Sequence, residues 1–344
     1  MNRILFTLIL MSFAGVPGLH AQLISTPSGP LEFIGLRSWP PQKLWNAIYA
    51  SSPGNGAHAC AAILKSQFRF PDAAVNGYME NDSVYWVVTV VEPEFSDRVQ
   101  YLPSPTGTVT IPSDWDDLVT IPQSKRASLD IAVETYHYIL SGHHDRAVAE
   151  ATASMNFQRE HNASLHPDIK LVESVWKFLG DHNTQQDRAT AMHVLANDGN
   201  EARRTLATII LLNFAANDST WNLLADAERD SSSNVREAAR TALMDLVEYM
   251  PRRVDWKPAV PTLRHILAGT NPFALMPTLI TLKTTGISHD LASPLLHGNG
   301  DLLLGYLQAH HQFEREAAHD FLTAISGHDY GFDADKWGKW ISGL

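Results

Sequence analysis

The chain has 344 residues, 44% of them hydrophobic, and its 26 basic and 37 acidic side chains give a formal net charge of -11 at pH 7. That length accommodates two ordinary domains, or one domain and a repeat array, around a sizeable core. The acidic balance argues against nucleic acid as a partner, because such binding rests on Lys and Arg neutralising phosphates, and the single cysteine, Cys60, excludes an intramolecular disulfide framework.

In chain order, residues 1–21 read as a cleavable signal peptide. Asn2-Arg3 give a positive start, 4–13 an apolar run, and Gly15-Val16-Pro17-Gly18 a break before Leu19-His20-Ala21, with cleavage expected after Ala21. The expected location is therefore secreted or periplasmic. The apolar run is short against a hydrocarbon core of ~30 Å, and no later stretch has spanning length, so no transmembrane domain is expected. Residues 23–30, rich in Ser, Pro and Gly, read as a flexible leader. Pro40-Pro41 opens a helix carrying Leu44, Trp45, Ile48 and Tyr49, the turn residues 53–56 end it, and Cys60 sits in a second apolar helix as a small buried hydrophobe. Residues 73–80 alternate and 84–91 are β-branched and aromatic. With Asn81-Asp82-Ser83 between them they predict a β-hairpin, which needs the two helices to pack on, since two strands alone are marginal. Thr106 to Ile111 could add a third strand or form an arm. Residues 22–101 are thus expected to form a small α+β domain of two helices and a β-hairpin, and 102–126, with Pro103, Pro105, Pro112 and Pro122, a Pro-rich linker.

From Arg126 the period turns helical and strand-like runs cease, over 127–140, 144–156, 167–179 and shorter segments beyond. Asn234-Val235-Arg236-Glu237-Ala238-Ala239-Arg240-Thr241-Ala242-Leu243 is echoed by Phe313-Glu314-Arg315-Glu316-Ala317-Ala318-His319-Asp320-Phe321-Leu322. Arg236 and Arg315 are 79 positions apart, two periods of about 40 for paired-helix repeats. A weaker copy, Glu201-Ala202-Arg203-Arg204-Thr205-Leu206, lies 33 residues before the first. Ala238, Ala239 and Ala242 would let a sandwiched helix approach its neighbours, Asp230 or residues 231–233 would cap it, and Arg236 would bond across the turn to the adjacent unit.

The run from Asp230 through Val235-Arg236 to Ala242-Leu243 resembles the inner-helix signature of HEAT-like repeats, including those of phycobilin-lyase-type repeat proteins. The likeness covers about 190–325, with 127–180 as degenerate helices of the same array. The tail 327–344 resembles the end of exported HEAT-like bacterial proteins: Gly331 turning, Asp333 capping a last helix, and Trp337, Trp340 and Ile341 folding back to cover the final apolar face. The N-terminal unit, with Phe33-Ile34-Gly35, Phe70-Pro71-Asp72-Ala73 and Val87 to Pro93, is similar to leaders of secreted repeat proteins. The resemblance implies a mainly α fold: an α-solenoid of HEAT-like repeats over 127–344, with a C-terminal cap at 327–344, behind the small N-terminal α+β domain.

No residue pattern names a reaction. Glu134 and His137 are followed by His143-His144-Asp145, and His310-His311 by Glu314 and His319. Neither group matches a two-histidine zinc motif, and no second Glu-x-x-His completes a carboxylate-bridged site. His311 and Glu314 share a helix face while His310 points elsewhere. There is no Gly-x-Ser-x-Gly elbow, phosphate loop or Cys-x-x-Cys pair, so no catalytic, metal or cofactor-binding residue is assigned and an enzyme is not expected. Asn81, Asn162 and Asn217 open N-glycosylation sequons. The expected function is that of an exported interaction or scaffold module, whose partner is another protein or peptide. The alternative is an enzyme or small-molecule-binding protein with its site at the seam between the N-terminal domain and the repeats, where Glu92, Glu94, Asp97 and Arg98 follow a strand.

Overall fold

The computed structural model describes residues 21–52, 56–80, 83–122, 125–161 and 166–344. The expected signal peptide, apart from Ala21, lies outside the described residues, as do Asn81, Asp82 and Asn162. The chain is mainly helical with one four-stranded sheet near its N-terminus.

Residues 23–30 are not a flexible leader. Strand β1 (Gln22–Thr26) pairs antiparallel with β2 (Gly29–Ile34), and Pro27-Ser28 form the turn, with the Thr26 hydroxyl donating to the Gly29 carbonyl at 2.7 Å. Gly29 has φ +109°, and a Cβ there would lie 2.3 Å from the Val84 carbonyl oxygen, so the neighbouring strand admits only glycine. Helices α1 (Pro41–Ser51) and α2 (Cys60–Gln67) follow, and then the expected hairpin of β3 (Asp72–Glu80) and β4 (Ser83–Val91). β4 enters beside β2 and parallel to it, giving the order β1-β2-β4-β3. The N-terminal unit therefore holds two more strands than the expected hairpin.

Strand alternation gives the sheet two apolar faces. Leu31, Phe33, Val88 and Val90 pack on Leu44, Trp45, Ile48, Cys60 and Leu64 of α1 and α2. Ile34, Tyr85 and Val87 face the other way and belong to the core of the helical part. The helices beyond the sheet are α3 (Ser113–Val119), α4 (Arg126–Leu140), α5 (His144–His161), α6 (Ile169–Asp181), α7 (Gln185–Asn197), α8 (Glu201–Ile210), α9 (Asp218–Ala227), α10 (Ser233–Tyr249), α11 (Val260–Leu267), α12 (Pro272–Thr284), α13 (Ala292–Leu296), α14 (Asp301–Leu307), α15 (Gln312–Ser326) and α16 (Ala334–Ser342). The sheet's second face lies against α12 and α14, and its Tyr78 reaches Glu314 of α15.

Within the expected Pro-rich linker, the described residues 102–122 run over the helices as a strap. The Leu102 amide donates to the Arg229 carbonyl at 2.7 Å, and Gly107 exchanges backbone bonds with Asn197 and Gly199 at 3.1 and 2.8 Å. The Val109 amide donates to the buried Asp198 carboxylate at 3.0 Å. Thr106 to Ile111 is thus an arm on the helices, with a single β-bridge at Gly107, and α3 then inserts a fully buried Trp115 beside α8.

Helices α8, α10, α12 and α15 pack in series, and three of them carry the arginine-bearing segments. Ala239, Ala242 and Leu243 are buried, as close helix approach requires. Two details differ from expectation. Arg236 donates to the carbonyls of Asp230 and Ser231, in the loop before its own helix, at 2.7 and 3.1 Å, and stacks over Tyr101. The arginine that reaches from one helix to the loop before another is Arg204 of α8, with 2.9 and 2.8 Å bonds to the two carboxylate oxygens of Asp230. Of the two expected caps it is the 231–233 run, at Ser232, that holds the N-cap position of α10, and not Asp230; the Ser232 side chain makes no capping bond. At the C-terminus Gly331 turns with φ +57°, Asp333 accepts from the Lys336 amide at 3.0 Å, and the fully buried Trp337 brings α16 back onto α14. Among the described residues, no helix is long and apolar enough to cross a membrane.

Candidate functional site

The seam between sheet and helices holds a buried polar network. Glu32 is flanked by Leu31 and Phe33, which turn towards α1 and α2, so its side chain is sent to the opposite face and against the start of α15. There it is fully buried. One oxygen accepts from the His310 amide at 2.7 Å and meets His310 Nδ1 at 2.9 Å. The other accepts from the Tyr85 hydroxyl at 2.9 Å and the His311 amide at 3.1 Å. A carboxylate on the amides that open a helix meets both its unpaired donors and its positive dipole end, and α15 has no cap of its own. His311 stacks on Tyr78 at 4.1 Å, sets Nδ1 against Glu314 and Nε2 3.1 Å from Glu80. Tyr78 donates to Glu314 at 2.6 Å. His310 thus converges with His311 on Glu32 through the backbone at the helix start, whereas His319 lies apart, 2.9 Å from Asp329. Each oxygen of Glu32 and Glu314 has a partner within the network, which ties sheet to helix.

The seam residues Glu92, Glu94, Asp97 and Arg98 divide between burial and solvent. Glu92 is fully buried, and its Oε1 accepts from the amides of Arg37, Ser38 and Trp39 at 2.9, 3.0 and 3.2 Å. Arg98 and Arg37 lie on Phe95 with guanidinium-to-ring distances of 4.5 and 4.4 Å, and both pair with Asp301. Glu94 and Asp97 remain exposed. An open cleft of about 530 Å³ lies beside them, lined by Asp97, Arg98, Arg264, His265 and Asn299 among others. Burial, with Arg229 and Arg264 close by, pushes the His265 imidazole below its ordinary value.

A groove of about 240 Å³ runs between α4, α8 and α10. Leu129, Val133, Ile209 and Ala238 supply its apolar lining, Asp130 and Glu134 stand on α4, and Glu237 on α10. A smaller recess continues it towards α3 through Leu118, Val119 and Leu206. The lining follows helix periodicity: 126, 129, 130, 133 and 134 on one helix, and 234, 237, 238 and 241 on the other. The next turns bring His137 and Asp245 together at 3.7 Å. His137 stacks on Tyr249 at 3.7 Å and neither of its ring nitrogens has a hydrogen-bond partner among the described residues. Burial lowers its basicity against the pull of Glu248. Burial likewise pushes the Asp245 carboxyl up to about 7, reinforced by Glu248 and Glu134.

Of the other residues singled out from the sequence, Cys60 is fully buried, and burial pushes its thiol up to about 12, far from a nucleophilic thiolate. His144 lies edge-on to Trp176, away from the His137–Asp245 pair. Among the described residues no group of three or more His, Cys, Asp or Glu is placed to hold a metal ion. Glu32, Asp245 and Asp301 were not legible as functional or structural keys: Glu32 and Asp301 are lone acids in their own segments, Asp245 has only Glu248 near it on its helix, and the fold supplies the partners of all three. Compared with protein-family models, with curated proteins and with solved structures, the chain matches none.

Proposed function

We propose that this is an exported interaction or scaffold protein whose helical part, an α-solenoid of HEAT-like repeats, docks a segment of another protein in the groove between α4, α8 and α10. The observation that carries this reading is the groove's position: it lies on Thr205, Ile209, Ala238 and Thr241, on the helix of the 234–243 segment and the helix of its weaker copy at 201–206, the surface that stacked repeats use for extended partners. The serial packing of α8, α10, α12 and α15 supports the solenoid. Export is supported by the composition of 1–21 and by the start of β1 at Gln22, since cleavage after Ala21 leaves the strand whole.

The alternative, a seam site for a small molecule, would rest on the cleft beside Arg98. It has less support, because Arg98 is held by Asp301 and the Glu92 carboxylate is closed off by backbone amides. The test is photo-crosslinking in the native exported fraction, with benzoylphenylalanine placed at Thr241 in the groove or at the exposed Thr152 on α5. A stoichiometric partner captured from Thr241 alone is the expected result. Equal capture from both positions, or from neither, refutes the groove as the docking surface.

A further inference from the structure

We infer that the occupant of the α4–α8–α10 groove is a cationic, amphipathic segment of a partner protein, its apolar side chains on Leu129, Val133 and Ile209 and its lysine or arginine heads among Asp130, Glu134 and Glu237. This rests on the reading of the groove as a docking surface and adds the chemistry of what docks there. Apolar lining with a charged rim is the anatomy of a peptide groove rather than of a solvated helix face. The acids face one another across the crevice. Arg126, 3.7 Å from Asp130, and Arg240, paired with Glu237, are the cations beside them, while no salt bridge meets Glu134 among the described residues. Carboxylates gathered on facing helices repel one another, and a cation between them relieves that repulsion.

A second observation points the same way. One turn beyond Glu134, the His137 side chain is only 7% exposed, yet neither ring nitrogen, nor Asp245 Oδ2, has a hydrogen-bond partner among the described residues. Buried polar groups are normally partnered. The charged and titratable groups around this pair are Glu134, Arg146 and Glu150 from α4 and α5, and Glu248 and Tyr249 from α10. Carboxylates predominate, so a donor bearing positive charge is the complement. The acids are strung along two helices without converging on one point as metal ligands do, which matches charges spaced along a peptide rather than a single ion.

The experiment uses the full mature chain and two fluorescent peptides of identical leucine and alanine pattern, one with lysine at every polar position and the other with glutamate. Binding is followed by anisotropy at low and at physiological ionic strength. The lysine peptide is expected to bind and the glutamate peptide not. The triple variant Asp130→Asn, Glu134→Gln, Glu237→Gln should weaken binding about tenfold, as the loss of three exposed ion pairs implies. Neutralising three exposed acids elsewhere, Glu173, Glu316 and Asp335, should change it less than about twofold. Equal loss in both triple variants, or equal binding of both peptides, overturns the inference. If neither peptide binds while Thr241 still crosslinks a partner, the cationic chemistry is wrong and the docking surface stands. If crosslinking fails as well, both readings fall.

Discussion

Replacing Arg204 with methionine tests whether the α8–α10 junction depends on a buried ion pair. Arg204 is 2% exposed and Asp230 6%, and two bonds of 2.9 and 2.8 Å join them, with a third from Arg204 to the Asp198 carbonyl at 2.9 Å. Methionine fills much of the same volume, so the cavity contribution is small and the loss is electrostatic. Removing one partner of a buried pair costs about 3–5 kcal/mol, because the other charge stays buried without its counter-ion. Asp230 keeps the Ser232 amide at 2.7 Å, which favours the lower end, about 3 kcal/mol. For a chain of this size that lowers Tm by roughly 4 °C. Urea denaturation of R204M, D230L and the double variant closes the cycle. The double variant should recover at least about 2 kcal/mol relative to additivity, since an apolar pair at a buried site leaves no charge exposed to low dielectric. A loss below about 1 kcal/mol for R204M, or strict additivity, would show that the junction is held by packing alone.

Glu32→Gln keeps the shape but removes the charge that faces the α15 amides, and should cost about 2 kcal/mol, with amide exchange at His310 and His311 rising first; unchanged protection there would contradict the capping role. Trp115→Ala leaves the anchor site of the strap empty and should cost about 3–5 kcal/mol, with new proteolytic cleavage between Val109 and Pro122 as the readout, whereas resistance like that of the parent would mean that the strap is held by its backbone bonds. The Asp245 carboxyl is raised from 3.8 to about 7 in the fold, so the folded state holds its proton more tightly than the unfolded chain. Its contribution is fully present below the unfolded value and is lost as pH rises through about 7. Asp245→Asn should therefore be more stable than the parent at pH 8 by an amount on the order of 3 kcal/mol, and this advantage should shrink towards pH 5; a gap independent of pH would remove Asp245 as its source.

The helices over 127–140, 144–156 and 167–179, those carrying the 201–206, 234–243 and 313–322 segments, and the last one after Asp333 were legible because each signal is local, a periodicity or a capping aspartate, whereas α7, α9, α13 and α14 were not read individually. The N-terminal sheet was legible only where its pairing is local. The β3–β4 hairpin has its turn between its strands, but β2 pairs in parallel with a strand more than fifty residues later, and nothing in Leu31-Glu32-Phe33 announces that partner. Without it, Glu32 reads as a surface acid in an apolar run. Once the second sheet face is known to be covered, the same alternation that buries Leu31 and Phe33 forces Glu32 into the seam, where it must find donors, and the unpaired amides at the start of α15 are what it meets. The groove divides in the same manner. Its α8 and α10 walls, Thr205 and Ile209 against Ala238 and Thr241, come from segments singled out by their local likeness, whereas α4, which comes from further upstream, completes it and adds Asp130 and Glu134 to the lining that holds Glu237. Motif reading searched for charges close in sequence, but this fold sets its charges in register across helices. The difference between Arg236, which closes the loop before its own helix, and Arg204, which binds Asp230 ahead of the next long helix, was settled by packing: the residue 33 positions before Arg236 is Arg203, which pairs instead with Asp116 and Asp198.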